Sequence, residues 1–176
     1  MKKILLSALL ILSLTVSLAA FTSCGDSSSG GSQNRDGQTL TTSRGLEYID
    51  EGEAACLVSG IGECTDTVIV IGEYSPSNKA IIGIDEDAFH NNTTFTSVTT
   101  SDRLKSIDED AFSGCTSLVS VTIGNRVDYI GDDAFAGCTS LSVINFNGTE
   151  EEWNRIQKGD DWDYGTGNYT LNFLVK

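Results

Sequence analysis

The residues of this chain best equipped for chemistry are carboxylates written in a fixed pattern. Asp85-Glu86-Asp87 and Asp108-Glu109-Asp110 occupy the same place in two identical hexapeptides, Ile84 to Phe89 and Ile107 to Phe112. A looser copy, Ile130 to Phe135, carries Asp132 and Asp133. The step is 23 residues each time (107 − 84 and 130 − 107). Stacked in a column, Glu86, Glu109 and Asp132 could bind calcium. Two unit charges one strand spacing apart repel by about 0.9 kcal/mol in water and about 3.5 kcal/mol at an effective dielectric of 20. Calcium also wants six to eight oxygens in a closed loop, whereas a ladder is an open row. The structural explanation is stronger. Asp85, Asp108 and Gly131 are expected at the N-cap of a single helical turn, with the next two carboxylates complementing its dipole and Gly137 ending the third copy.

The remaining reactive residues form no recognisable site. Asp160 to Gly165 is a second acidic cluster, but it lacks the alternating acids and later Glu of a calcium loop and reads as a capped turn. Cys56, Cys64, Cys115 and Cys138 offer no C-x-x-C pair and no zinc spacing. Cys115 and Cys138 stand one repeat apart and are expected as buried free thiols; a Cys56–Cys64 bridge is the less favoured option. His90 is the single histidine and aligns with Ser113 and Ala136 at a surface position with no orienting acid implied. No phosphate loop or dinucleotide fingerprint is present. No metal, no cofactor and no enzyme activity are expected.

The elements that must carry these residues begin after a targeting segment. Lys2 and Lys3 precede a stretch, Ile4 to Phe21, of apolar and small residues, which is excluded from fold reasoning as a signal sequence. Phe21-Thr22-Ser23-Cys24 resembles a bacterial lipoprotein box, with Phe21 where that pattern favours Leu. The resemblance implies a lipid on Cys24. Cleavage after a small residue such as Ala20, and an uncleaved anchor near the lower length limit for a span, stay open. Residues 24–44, rich in Ser and Gly, read as a flexible tether. From Cys24 onward nine Lys and Arg (11 − 2) oppose 25 Asp and Glu, a net charge of −16. That balance excludes nucleic acid as a partner, since phosphates require cations, and excludes docking of the domain itself on anionic lipid.

The 23-residue step is the signature of a solenoid. Aligned copies place Ile81, Leu104 and Val127 in one column; Phe89, Phe112 and Phe135 in another; then Phe95, Leu118 and Leu141, followed by Val98, Val121 and Ile144. Leu118 to Ile123 alternates apolar and small polar residues as a strand does. The expected fold is a mainly β repeat solenoid with short helical turns, of about three rungs, with an N-terminal β cap and first strands at 45–80, repeats at 81–147 and a C-terminal cap of helix plus strand at 148–176. Thr149 and Glu152 form a capping box there, and Trp153 and Ile156 share the helix face that covers the last rung. The stretch Val127 to Leu141, with Ile130-Gly131, Ala134-Phe135 and Gly137-Cys138, resembles the leucine-rich repeat of BspA-like bacterial surface proteins. Gly60 to Thr67 is similar to the lead-in of such proteins, and Asn147 to Trp162 to their closing segment.

The resemblance implies an extracytoplasmic, membrane-anchored protein that engages a protein or glycan at the cell surface. The residues expected on the binding face are Thr96, Ser97, Thr99, Ser101, Val119, Ser120, Thr122, Ser142, Val143, Asn145 and Asn147, small and uncharged along the strands. An envelope protein with no ligand on that face, or a calcium-dependent binding module, is the alternative.

Overall fold

The structure is a computed structural model that describes residues 42–175, together with the short strands β1 (Ser32–Gln33) and β2 (Thr39–Leu40), which pair antiparallel. The signal segment 1–23 and Cys24 lie outside the described residues. Beyond them the chain winds as a coil and gives one strand to each of two sheets on every turn. The five-stranded sheet contains β5 (Val68–Ile71), β7 (Ser97–Thr100), β9 (Ser120–Ile123), β11 (Val143–Phe146) and β13 (Thr170–Phe173), all parallel and in sequence order. The six-stranded sheet contains β3 (Glu47–Glu51), β4 (Ala55–Gly60), β6 (Ala80–Ile84), β8 (Ser106–Ile107), β10 (Tyr129–Ile130) and β12 (Gln157–Lys158). It is parallel except for the β3–β4 hairpin, which closes the N-terminal end. This is a mainly β solenoid of about five turns.

Five rungs stand where the 23-residue period alone indicates three. The strands of the five-stranded sheet begin 29, 23, 23 and 27 residues apart (97 − 68, 120 − 97, 143 − 120, 170 − 143). The first turn is lengthened by a loop closed by Ser75, whose amide donates to the Lys79 carbonyl at 2.9 Å. The last is lengthened by helix α1 (Glu150–Arg155). In the five-stranded sheet these insertions leave the strand register intact, because parallel pairing depends on the strands and not on what connects them. The segments expected to cap the stack therefore also contribute strands to both sheets. At the other end the tether stops short of residue 44: Ser43 is buried, its amide donates to the Val70 carbonyl at 2.9 Å, and its Oγ accepts from the Val70 amide at 3.0 Å.

The apolar columns meet between the sheets as one core, with Ile69, Val98, Val121 and Ile144 from one side and Ile81, Leu104 and Ile107 from the other fully buried. A spine of aromatic rings runs along it. Phe89 stacks on Phe112 at 5.0 Å between centroids, and Phe112 on Phe135 at 5.1 Å. Trp162 ends the spine edge-on to Phe135 at 6.2 Å, and Trp153 closes it between Trp162 and Phe146. Cys115 and Cys138 are buried free thiols whose Sγ atoms donate to the carbonyls of Phe89 and Phe112, one rung back. Cys56 and Cys64 are also separate thiols rather than a bridge.

The acid-Ala-Phe segments are turns, not helices, which corrects the N-cap assignment of Asp85, Asp108 and Gly131. Asp87, Asp110, Asp133 and Asp161 each adopt a left-handed backbone, with φ between 50° and 58°. Asn91, Gly114, Gly137 and Gly165 do the same a few residues later. The reason is hydrogen bonding. A helical turn aims its amides along its own axis, whereas here alternate amides point at the next rung. Asp87, Phe89 and Asn91 donate to the carbonyls of Glu109, Ala111 and Ser113 at 3.1, 2.9 and 2.7 Å, and Asp110, Phe112 and Gly114 repeat this onto Asp132, Ala134 and Ala136. The turns thus form a third ladder down the side of the stack. Asp, Asn and Gly are the residues that enter the left-handed region most readily.

The C-terminal cap follows its sequence. Thr149 Oγ1 accepts from the Glu152 amide at 3.1 Å, and Glu152 Oε2 accepts from the Thr149 amide at 2.8 Å. Trp153 and Ile156 are buried. Lys158 closes the other end of α1, donating to the carbonyls of Trp153 and Ile156 at 2.8 and 3.2 Å with its ammonium 4.6 Å from the Trp153 ring. Burial there lowers the Lys158 pKa.

Candidate functional site

The strands of the five-stranded sheet alternate, so every second side chain leaves the core. Register places those side chains in two straight columns: Val68, Ser97, Ser120, Val143 and Thr170, then Val70, Thr99, Thr122, Asn145 and Asn172. None carries a charge, on a chain whose net charge is −14. Some neighbours within the columns bond one another. Ser120 Oγ donates to Ser97 Oγ at 2.9 Å, Asn145 Nδ2 to Thr122 Oγ1 at 3.5 Å, and Asn172 Nδ2 to Asn145 Oδ1 at 3.0 Å. These bonds orient the Ser, Thr and Asn groups while leaving them unused hydrogen-bonding capacity.

Most of the residues read from the sequence lie on or beside these columns. Thr96, Val119 and Ser142 flank them at the strand entrances and are exposed, with Thr96 Oγ1 and Ser142 Oγ bound to the carbonyls of Thr67 and Val119. Asn147 sits at the strand exits, its amide donating to Asp102 Oδ1 at 3.2 Å. Ser101 does not belong: it is buried in the turn after β7, its carbonyl pressed by Gly124. Val68, Val70, Thr170 and Asn172 complete the columns but fall in the lengthened end turns, outside the 23-residue step. Had Val68 to Ile71 been aligned as a strand of the same sheet, the first two would have been found.

At the strand exits the neutral face gives way to a shallow polar cleft lined by Glu73, Asp102, Arg103, Asn125 and Arg126. Arg103 lies 4.9 Å from the centre of the Tyr74 ring, and its Nε is 3.6 Å from Glu73 Oε2.

The turn ladder holds the acids. Glu86, Glu109 and Asp132 form the exposed column expected, and one of them has a structural duty: Asp132 Oδ1 accepts from the Asp160 amide at 2.7 Å. Partial desolvation and then the neighbouring carboxylates, Glu86 first, raise the Glu109 pKa. Asp160 to Gly165 is the last turn of this ladder. His90 is not without acids, as its sequence context implied. Its Nδ1 is 3.1 Å from Asp87 Oδ1 and 3.9 Å from Asp110 Oδ1. Burial pushes the thiols of Cys115 and Cys138 up to about 12, so they carry no nucleophilic thiolate at neutral pH.

A two-sheet coil with strand, turn and strand in each rung, and Ala-Phe and Gly-Cys columns in its core, is the architecture of a known repeat. The sequence pattern of the BspA type leucine-rich repeat region matches residues 66–158 in six copies. The chain belongs to this family. The match extends past both ends of the 81–147 span read from the 23-residue step. Among solved structures, the chain resembles a leucine-rich repeat protein from Bacteroides capillosus, with 22% identity over 73% of this chain and 94% of that one and a TM-score of 0.60. It also resembles the leucine-rich repeat protein of T. pallidum, with 14% identity over 76% of this chain and 85% of that one and a TM-score of 0.50. At these identities the likeness is one of fold. No curated protein sequence matches the chain.

Proposed function

We propose that this BspA-type repeat protein is a non-enzymatic binding module of the bacterial cell surface, held at the membrane through a lipid on Cys24, and that it engages a protein or glycan through the open face of its five-stranded sheet. The observation that carries the reading is the pair of uncharged columns crossing all five strands of a strongly acidic molecule. Fixed hydroxyls and amides on a flat lattice suit the hydroxyls of a sugar or the backbone of an extended protein segment. Two side chains on each of five strands make ten, short of the 20–30 residues a side of a standard interface. A single contact is therefore weak, and adhesion relies on many copies on one cell.

The experiment replaces Thr99, Thr122 and Asn145 by Arg and compares cells carrying the variant with wild type on immobilised matrix proteins and glycans. Loss of adhesion with unchanged surface display supports this face. Unchanged adhesion with display intact refutes it, and failure of the wild type to bind any surface refutes the adhesion reading as a whole. A Cys24→Ala chain that stays in the membrane fraction would overturn the lipid anchor.

A further inference from the structure

We propose that Asp87, His90 and Asp110 bind a borderline divalent cation of the zinc class. The three donor atoms lie within 4.8 Å of one another, with the imidazole Nδ1 at 3.1 and 3.9 Å from the two carboxylates. Donors about 2.0–2.1 Å from a tetrahedral zinc stand roughly 3.3 Å apart, so the two nitrogen–oxygen separations bracket the spacing such an ion needs. The backbone that sets these positions is fixed before any ion arrives. The Asp87 amide is bonded to the Glu109 carbonyl at 3.1 Å, the Asp110 amide to Asp132 at 3.0 Å, and the His90 amide to the Asp87 carbonyl at 3.0 Å.

The carboxylates alone would not carry this assignment. Asp87, Asp110, Asp133 and Asp161 repeat because the turn demands a left-handed residue, and no site is assigned to the pairs further along. The imidazole is different. No turn geometry requires it: the equivalent residues are Ser113 and Ala136, and the same main-chain bond forms with either. At this one rung a nitrogen donor turns toward two stacked carboxylates instead of toward open solvent.

One nitrogen with two carboxylate oxygens suits zinc, cobalt or nickel, and solvent completes the shell of a site this exposed. Calcium is disfavoured, because it prefers an all-oxygen shell of six or more. The site is separate from the open sheet face and from the Glu86, Glu109 and Asp132 column.

The test is calorimetric titration of the full chain with zinc chloride in a non-chelating buffer, beside His90→Ala and Asp110→Asn. One zinc per chain is expected, with affinity reduced at least tenfold in either variant. Because His90 is the only histidine, the ring nitrogens of the wild-type protein report the same event by nitrogen-15 resonance without any substitution. Zinc is expected to move the Nδ1 signal. An unmoved Nδ1 signal at saturating zinc, or variants that bind zinc as the wild type does, overturns the site.

Discussion

The third residue of each acidic triplet is set by backbone angle rather than by charge. Asp133 sits at φ 52° with its amide bonded to the Asp160 carbonyl. An ordinary L-residue pays about 1–2 kcal/mol to enter that region, a β-branched one at the upper end, and glycine pays none of it. Asp133→Val should therefore lower stability by about 2 kcal/mol, while Asp133→Gly stays within about 1 kcal/mol of wild type, read from urea midpoints. Equal losses in both would mean that the carboxylate itself is what matters. The buried thiols make a second residue-scale prediction. In the folded chain Cys115 and Cys138 titrate at about 12, against 9.0 when unperturbed. The unfolded chain releases these protons first, so their contribution is fully present below pH 9 and is lost as pH rises toward 12. Urea unfolding between pH 8 and 11 should show stability falling with pH, and a Cys115→Ala, Cys138→Ala chain should show a shallower fall. The residual slope belongs partly to Tyr48 and Tyr169, whose pKa values burial also raises. That these thiols are buried was legible in their spacing. That the acids sit in left-handed turns was not, since Asp is equally at home at a helix N-cap and in a left-handed turn, and only the bonds to the neighbouring rung decide between them.

Among elements, the ends of the stack matter most, because each inner rung is covered on both sides and the last is not. Trp153 on α1 fills that role, buried against Phe146 at 5.3 Å and Trp162 at 6.0 Å. Trp153→Ala should cost about 3–5 kcal/mol, and Thr149→Ala, which removes only the capping hydroxyl, about 1 kcal/mol. Thermal unfolding of the two variants checks the order; a Trp153→Ala melting temperature equal to wild type would mean that α1 does not close the core. The capping box and the amphipathic face of α1 could be read from Thr149, Glu152, Trp153 and Ile156 because a helix end is encoded locally. The end strands were legible as strands, but not as rungs in register with the repeats, because β5 and β13 pair with β7 and β11 across turns of irregular length. For the same reason the middle of the uncharged columns, Ser97 to Asn145, was visible in the sequence and their margins, Val68, Val70, Thr170 and Asn172, were not.

The whole molecule separates its chemistry by side: uncharged columns on the five-stranded sheet, two arginines at the strand exits, and carboxylates stacked along the turns. The carboxylate side opposes folding by self-repulsion; at Glu109, desolvation first and then the neighbouring carboxylates raise the pKa. Exposed charges one rung apart are screened once the Debye length falls to their spacing, from about 30 Å at 0.01 M salt to about 3 Å at 1 M. Adding sodium chloride over that range should raise the melting temperature. A chain carrying Glu86→Gln, Glu109→Gln and Asp132→Asn should respond less, the last change keeping an acceptor for the Asp160 amide. The same scan separates screening from specific binding. Calcium chloride at matched ionic strength should stabilise the wild type no more than sodium chloride does. An additional stabilisation by millimolar calcium that disappears in the triple variant would show instead that Glu86, Glu109 and Asp132 hold that ion, and would move the carboxylate ladder from architecture to function.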